Sequence, residues 1–303
     1  MRRRPSVPST LSALVAGVVA LAAATALVAP VGATAAAPVA AGAGEAPLRY
    51  VALGDSFSAA SGVLPPDPTS PPQCLRSSLN YPHVIAERIG ADLTDVTCGG
   101  AASPDYFSSQ YPGVPPQLDA LGRGTDLVTM TIGGNDGGVF IDAILACGRA
   151  GLTTLGRGNP CEEENGNRFV RTVRNDTAPA LVRALRAVVR RAPNAEVAIL
   201  GYPWLLPPRE GCYPQMPVAR GDVPYLRNLQ SELNEAVRQA AAASGATYVA
   251  VPRASEGHDA CQAVGTRWVE PVVAGTNPVV VHPNALGERK MATLTQKRLR
   301  LRP

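Results

Sequence analysis

A serine at the end of an apolar run is the residue best placed to act as a nucleophile. Residues 50–53 are apolar, and Gly54, Asp55 and Ser56 follow directly. This pattern predicts a buried strand that turns sharply and leaves one hydroxyl at the carboxyl edge of a sheet, where open α/β folds carry their chemistry. Ser58 stands where the G-x-S-x-G elbow has its second glycine, so that motif is excluded. The alternative is that Asp55 and Ser56 only cap a helix.

A serine nucleophile requires a base, because the free hydroxyl is too weak an acid to react unaided. The chain has three histidines, His83, His258 and His282. His83 falls at a predicted helix start, which favours a structural role. His282 follows three valines and precedes the last predicted helix, and His258 is the competing base.

Two glycine turns supply candidate hydrogen-bond donors for an anion. Gly100 follows a predicted strand that ends at Cys98, and residues 133–136 (GGND) follow another. A glycine backbone lets a ligand approach closely, and Asn135 adds a side-chain N–H. Taken singly, each segment is better explained as an ordinary turn.

The amino-terminal residues predict export. Three arginines, an apolar run over residues 11–28 and small residues to position 35 indicate a signal peptide over residues 1–35, with a membrane anchor as the alternative. Residues 36–47 are rich in Ala, Gly and Pro, which predicts a disordered leader. We expect residues 48–303 to form one secreted domain, monomeric and without a stable membrane anchor.

Charge and cysteine usage narrow the class of protein. The formal net charge of +4 falls to +1 without the three leading arginines, which argues against nucleic acid as a partner. An even number of cysteines behind a signal peptide implies three disulfides. No two cysteines have the C-x-x-C spacing that is typical of a zinc site. Six cysteines allow 15 pairings, of which the sequential one is simplest. They are Cys74, Cys98, Cys147, Cys161, Cys212 and Cys261.

Apolar runs alternate with helical periodicity along the rest of the chain. Strands are predicted near residues 50–53, 93–98, 126–132, 196–200 and 247–251. Helices are predicted near residues 81–90, 169–192, 225–244 and 284–301. About five strands alternating with helices indicate an α/β fold with a parallel sheet covered on both faces. Residues 137–167 and 202–224 are predicted to be long loops at the rim that carries Ser56.

Four of these segments, taken in order, resemble the GDSL, or SGNH, hydrolase family. They are residues 54–58 (GDSFS), Gly100, residues 133–136 (GGND) and residues 282–283 (HP), and the resemblance extends from about residue 48 to the end. It is strongest to the secreted bacterial lipase/esterase branch with three disulfides. It implies a flavodoxin-like three-layer α/β/α sandwich with a five-stranded parallel sheet. It also implies the pairs Cys74–Cys98, Cys147–Cys161 and Cys212–Cys261.

The resemblance also implies a role for each site residue. Ser56 is the expected nucleophile, and His282 the base that later protonates the leaving alcohol. The expected oxyanion hole consists of the N–H groups of Ser56 and Gly100 and the side-chain amide of Asn135. The reaction needs no cofactor and no metal.

One position departs from the family pattern. Many members carry an acid three residues before the histidine, where this chain has Val279. Two interpretations remain open. A main-chain carbonyl of Val279 or Val280 orients the imidazole, or Asp259 reaches His282 from another loop.

These residues predict a serine carboxylester hydrolase that cleaves fatty-acyl esters through an acyl-enzyme. Apolar residues of the two rim loops suggest a lipid substrate: Val139, Phe140, Ile141, Ile144, Leu145, Trp204, Leu205 and Leu206. Alternatively, these residues only pack the loops. Three competing functions stay open: phospholipase A-type activity, a carbohydrate O-deacetylase in which Trp204 and Trp268 stack on sugars, and a secreted binding protein without catalysis.

Overall fold

A single five-stranded sheet organises the fold in the computed structural model, which describes residues 46–302. The strands β1 to β5 are Arg49–Ala52, Asp92–Asp95, Leu127–Met130, Glu196–Leu200 and Thr247–Val249. Their order across the sheet is β2-β1-β3-β4-β5, and all neighbours are parallel. The predicted sheet is confirmed. The predicted signal peptide, residues 1–35, lies outside the described residues, as does the predicted leader except for residues 46 and 47.

Helices follow the strands along the chain. The helices α1 to α9 are Ser56–Ala59, Tyr81–Ile89, Val139–Thr153, Pro160–Asn165, Arg168–Thr172, Ala178–Arg191, Asp222–Ser244, Val251–Ala254 and Ala285–Leu299. Short 3-10 turns occupy Pro72–Cys74, Ser103–Tyr106, Gln117–Ala120 and Asp136–Gly138. A π-helical turn, Val173–Thr177, joins α5 to α6, so the predicted helix over 169–192 is continuous but contains one wide turn.

The two faces of the sheet bury alternate residues of each strand against different helices. Val51 and Val128 pack with α6 and α7, whereas Tyr50 and Ala52 pack with α2 and α9. This alternation follows from the two-residue period of a strand. It produces the predicted three-layer sandwich, with the carboxyl ends of β1 and β3 adjacent at the centre.

The prediction of a long loop over residues 137–167 is wrong, because most of this segment is helical. Val139, Ala143, Cys147 and Ala150 are buried in α3 at helical spacing. Flanking glycines and the run of Gly and Pro at 156–160 obscured that period in the sequence. The second rim segment, residues 202–221, is irregular up to the start of α7 at Asp222, as predicted apart from its last three residues. No helix within residues 46–302 is long and apolar enough to cross a membrane.

Candidate active site

Ser56 is the first residue of α1, directly beyond the carboxyl end of β1. Asp55 caps this short helix, and its Oδ1 accepts a hydrogen bond of 3.0 Å from the N–H of Phe57. Gly54 has a φ of +124°, and a Cβ at this position would clash with the carbonyl oxygen of Thr131. The turn therefore requires glycine at this position. It leaves the Ser56 hydroxyl at the sheet edge, where the sequence predicts it.

The imidazole of His282 lies against that hydroxyl. Its Nε2 is 2.8 Å from Ser56 Oγ, and its Nδ1 is 2.7 Å from the carbonyl oxygen of Val280. A carbonyl can only accept, so in the neutral ring Nδ1 carries the proton and Nε2 can accept the serine proton. Burial lowers the pKa of His282 below its ordinary value, opposed by the hydrogen bond to Val280. The ring therefore stays an unprotonated base at neutral pH.

The contact with Val280 depends on an unusual backbone conformation at the residue between them. Val281 has a φ of +60°, in the left-handed region that β-branched residues rarely adopt. Its side chain is 1 % exposed and belongs to a buried apolar cluster. Packing of this side chain holds the strained turn that brings the Val280 carbonyl to the imidazole.

Glu270 anchors the loop that carries His282. The backbone N–H of Glu270 donates to the His282 carbonyl at 2.9 Å. Its carboxylate accepts bonds of 2.7 Å each from Arg267, Thr276 and Asn284. Burial alone would raise the pKa of Glu270, but these bonds lower it, so the group is ionised. No sequence pattern predicts this role, because the three partners lie on different turns of an irregular loop.

The carboxylate of Asp259 is not hydrogen-bonded to His282. Asp259 is buried, and it accepts from the Cys261 N–H at 3.0 Å and from the Gln262 side chain at 3.3 Å. In the loop that carries His282, the backbone N–H of Val279 donates to the side chain of Asn277. Among the described residues, the Val280 carbonyl is therefore the only hydrogen-bond partner of His282 Nδ1.

Two of the candidate oxyanion donors, Gly100 and Asn135, belong to loops that are bonded to each other. The side-chain amide of Asn135 donates to the Ala101 carbonyl at 2.9 Å, next to Gly100. Asp136 accepts from both the N–H and the hydroxyl of Ser103, at 2.7 Å each. The backbone N–H groups of Ser56 and Gly100 have no acceptor within residues 46–302. They are available to a bound anion.

A buried polar network lies behind Ser56, and its central member is Tyr202, which no sequence pattern singled out. The Tyr202 hydroxyl donates to Asp55 Oδ2 at 2.5 Å and accepts from the Gly134 N–H at 3.0 Å. Thr131 also donates to Asp55, at 2.7 Å. Burial raises the pKa of Asp55 to about 6, although these hydrogen bonds lower it. Tyr202 thus joins the serine turn to the Gly134–Asn135 loop.

An apolar cavity of about 360 Å³ opens beside these residues. Phe57 and Val281 place it next to Ser56 and His282, and the Phe140 ring lies 5.7 Å from the imidazole. Both rim segments contribute to its wall, and so does α7. The residues of the predicted rim set that line it are Val139, Phe140, Ile144, Leu145, Leu205 and Leu206, whereas Ile141 and Trp204 do not.

The remaining histidines and the tryptophans are engaged elsewhere. His258 stacks on Trp268 with ring centres 4.7 Å apart, and Trp268 is 4 % exposed. His83 is bonded to Asn80 at the start of α2. The Trp204 ring is covered by the guanidinium of Arg227 at 3.5 Å. Trp268 is therefore closed to a sugar ring, contrary to the stacking expected of a deacetylase.

The six cysteines form three disulfides, Cys74–Cys98, Cys147–Cys161 and Cys212–Cys261. Cys98 is followed by the Gly100 loop, Cys147 lies in α3, and Cys212 lies in the second rim segment. All three therefore join segments around the site rather than the opposite edge of the sheet. Within residues 46–302, no group of His, Cys, Asp and Glu side chains could hold a metal ion.

A serine hydroxyl, a neutral imidazole and free N–H donors beside an apolar cavity define the class of serine-dependent acyl hydrolases. Residues 52–290 match the model of the GDSL-like Lipase/Acylhydrolase family. The chain belongs to this family, as its sequence blocks predict, and is a lipase/esterase of the GDSL hydrolases.

Named relatives and solved structures agree with this assignment. The chain is 59 % identical to Lipase 2 of Streptomyces coelicolor over 82 % of this chain and 84 % of that protein. It is 31 % identical to a lipase of Streptomyces rimosus over 80 % and 82 % of the two chains. Among solved structures, phospholipase A1 of Streptomyces albidoflavus has a TM-score of 0.71 and 28 % identity, covering 84 % of this chain and 100 % of that one.

Proposed function

We propose that the protein is a secreted lipase/esterase that transfers the acyl group of a fatty-acyl ester to Ser56. The Oγ–Nε2 distance of 2.8 Å, next to the apolar cavity that Phe57 and Val281 line, carries this proposal. His282 takes the serine proton as Oγ attacks the ester carbonyl, then gives it to the leaving alcohol. In the second half water attacks the acyl-enzyme while His282 takes its proton, and His282 returns that proton to Ser56 Oγ as the fatty acid leaves.

The negative charge of the tetrahedral intermediate is assigned to the N–H groups of Ser56 and Gly100 and the Asn135 amide. The hydrogen bonds from Asn135 to Ala101 and from Ser103 to Asp136 support this role, because they fix both loops before substrate binds. A preorganised donor of this kind contributes about 10²–10³ to the rate. The Val280 carbonyl orients the imidazole without adding a negative charge.

The acyl chain is assigned to the apolar cavity. Its wall offers side chains that can exclude water but very few that can bond a sugar, which favours a fatty-acyl ester over a carbohydrate acetate. One solved relative is named a phospholipase A1, so a phospholipid is the second candidate substrate class. A side-by-side assay on triacylglycerol and phosphatidylcholine emulsions separates the two.

Secretion is supported by the composition of residues 1–35 and by the three disulfides, which persist in oxidising compartments. Expression of the full chain in a bacterial host that exports proteins tests it. We expect processed protein in the medium, with its amino terminus near residue 36. Retention of full-length protein in the membrane fraction would contradict export by a cleaved signal.

The serine mechanism is tested with a fluorophosphonate, which labels only an activated serine. We expect labelling of the native enzyme and none of Ser56→Ala or His282→Ala. Both variants should lose about 10⁴-fold or more in kcat on p-nitrophenyl esters, because each lacks one of the two groups between which the proton moves. His258→Ala is the matched control and should keep its labelling. Retained hydrolysis by folded Ser56→Ala would refute the proposal.

A further inference from the structure

Helix α3 is apolar on both its inner and its outer face. Ile141, Leu145 and Leu152 are 52 %, 63 % and 56 % exposed. At 100° per residue they fall within about 40° of one another, on the side opposite the buried face. A surface helix usually turns polar residues outward, as α6 does with its exposed arginines at 183, 186 and 190. The outer face of α3, defined by Ile141, Leu145 and Leu152, therefore departs from this pattern.

The outer face of α3 is continuous with the acyl cavity. Leu145 and Leu152 are more than half exposed, and both also line the cavity. The same two side chains thus form part of the protein surface and part of the cavity wall. An acyl chain that enters past them can leave an apolar phase for the cavity without crossing water.

The charge of α3 is balanced. Its only ionisable side chains are Asp142 and Arg149, and Arg149 is paired with Glu164 at 2.9 Å. No cationic cluster on this helix is available to attract anionic headgroups. The chemistry of this face is therefore that of apolar contact, with an uncharged or zwitterionic partner as suitable as an anionic one.

We propose that the outer face of α3 binds the surface of aggregated lipid and delivers acyl chains from it to the cavity. This inference rests on the proposed function and specifies its substrate as ester in an emulsion or bilayer rather than ester in free solution. Exposed apolar patches that adjoin a binding site mark interaction surfaces. Continuity with the cavity selects lipid as the occupant over a second copy of the chain.

The test uses Ile141→Glu, because Ile141 is exposed but does not line the cavity. Leu48→Glu is the matched control, since Leu48 is 42 % exposed at the amino end of β1, on the opposite edge of the sheet. Binding is measured by co-sedimentation with phosphatidylcholine vesicles in the Ser56→Ala background, which prevents hydrolysis. We expect Ile141→Glu to weaken binding about tenfold or more and Leu48→Glu to leave it unchanged. Raising salt to about 0.5 M should have little effect on the native face, about twofold at most.

Activity assays separate this inference from the proposed function. With Ser56 present, Ile141→Glu should hydrolyse p-nitrophenyl acetate at the native rate and emulsified triolein about tenfold more slowly. Ile141→Ser provides a second variant if the glutamate lowers the melting temperature. Equal vesicle binding by Ile141→Glu and Leu48→Glu would overturn the inference, as would a native dimer that Ile141→Glu dissociates. Absence of ester hydrolysis in the native enzyme would instead refute the proposed function.

Discussion

Ser56 lies between a polar region and an apolar region of the protein. The polar side, consisting of Asp55, Ser58, Gln117, Thr131 and Tyr202, is buried and cross-bonded. Gln117 bonds both the N–H and the carbonyl of Gly54, at 2.7 and 3.0 Å, and Thr131 donates its N–H to Ser58 at 2.8 Å. The apolar side is the cavity wall, formed mainly by α3, the second rim segment and α7.

This difference assigns separate tasks to the two sides. Hydrogen bonds have narrow geometry, so the polar side fixes the Ser56 turn and the Gly134–Asn135 loop to within a fraction of an ångström. Apolar contacts are non-directional, so the cavity can accept chains of varied length and shape. We therefore expect substitutions on the polar side to affect kcat or stability, and substitutions on the apolar side to affect which substrate is cleaved.

After Ser56→Ala and His282→Ala, the largest effect is expected for Asn135→Ala. The Asn135 amide should bond the substrate carbonyl oxygen mainly when negative charge develops on it in the transition state. We therefore expect kcat to fall about 10²–10³-fold with little change in KM. Steady-state kinetics on p-nitrophenyl butyrate measures both constants. Asn194→Ala, at an exposed asparagine bonded to Arg123, is the control and should be neutral. A change in KM alone would make Asn135 a substrate-binding residue.

On the apolar side, Gly148→Phe should change chain-length preference. Gly148 lines the cavity, and a Cβ there meets no atom within 4 Å, so there is open space at this position for the start of a larger side chain. Gly148 is eight residues along α3 from Phe140, or about 12 Å at 1.5 Å per residue. The ratio of palmitate to acetate hydrolysis should therefore fall about 10–100-fold.

Gly122→Phe is the matched control for that change, because its Cβ also meets nothing and it lies outside the cavity. It should leave the ratio of palmitate to acetate hydrolysis unchanged. An equal loss on acetate and palmitate in Gly148→Phe would show that the cavity does not select by chain length.

On the polar side, Tyr202→Phe should reduce stability. Loss of the hydroxyl leaves Asp55 Oδ2 and the Gly134 N–H without their bonds in a buried site, which costs about 1–3 kcal/mol in the free energy of unfolding. Urea denaturation measures it. Tyr106→Phe is the control, because the buried Tyr106 hydroxyl has no hydrogen-bond partner within the described residues, and it should be close to neutral. Equal losses of unfolding free energy in the two variants would contradict the role of the Tyr202 hydroxyl in the network.

The smallest effect is expected for Asp259→Asn. Asp259 is bonded to Cys261 and Gln262 rather than to His282, so kcat should stay within about tenfold of native, whereas loss of a true triad acid costs about 10⁴. The acidic limb of the kcat/KM profile should also keep its position below pH 6.5, because the pKa of His282 is lowered by burial. A loss of several thousandfold in kcat in a folded variant would show that Asp259 is the acid of a Ser-His-Asp triad.

Sequence patterns predicted the elements whose signal is local. The strand over 196–200 is found at those residues, and α9 begins one residue after its predicted start, with Asn284 as its cap, because apolar runs and caps involve neighbours in the chain. Ser56 and His282 were predicted as a pair through the resemblance to the family, although 226 residues separate them.

The features that escaped prediction depend on distant contacts. Tyr202 and Asp55 are separated by 147 residues, and a tyrosine after a strand has no distinctive pattern. Besides the flanking Gly and Pro residues, the apolar outer face of α3 hid its helical period, because it removes the contrast on which amphipathic patterns depend. The choice between Val279 and Val280 as the orienting carbonyl required the backbone angle of Val281, which residue types do not encode.

The hydrogen bond between His282 and the main-chain carbonyl of Val280 affects how this site can change during evolution. Every residue has a carbonyl oxygen, so no substitution at position 280 removes the acceptor of the His282 hydrogen bond. The side chain at position 280 is therefore under little constraint from this contact. The constraint passes to position 281, whose side chain must pack well enough to hold a left-handed turn. Only a backbone alteration, such as replacing the 280–281 amide with an ester by chemical synthesis, would weaken that oxygen as an acceptor. A member of the family with an aspartate at this site can lose that acid by one mutation at its position, whereas this chain loses the contact only if the turn at position 281 changes.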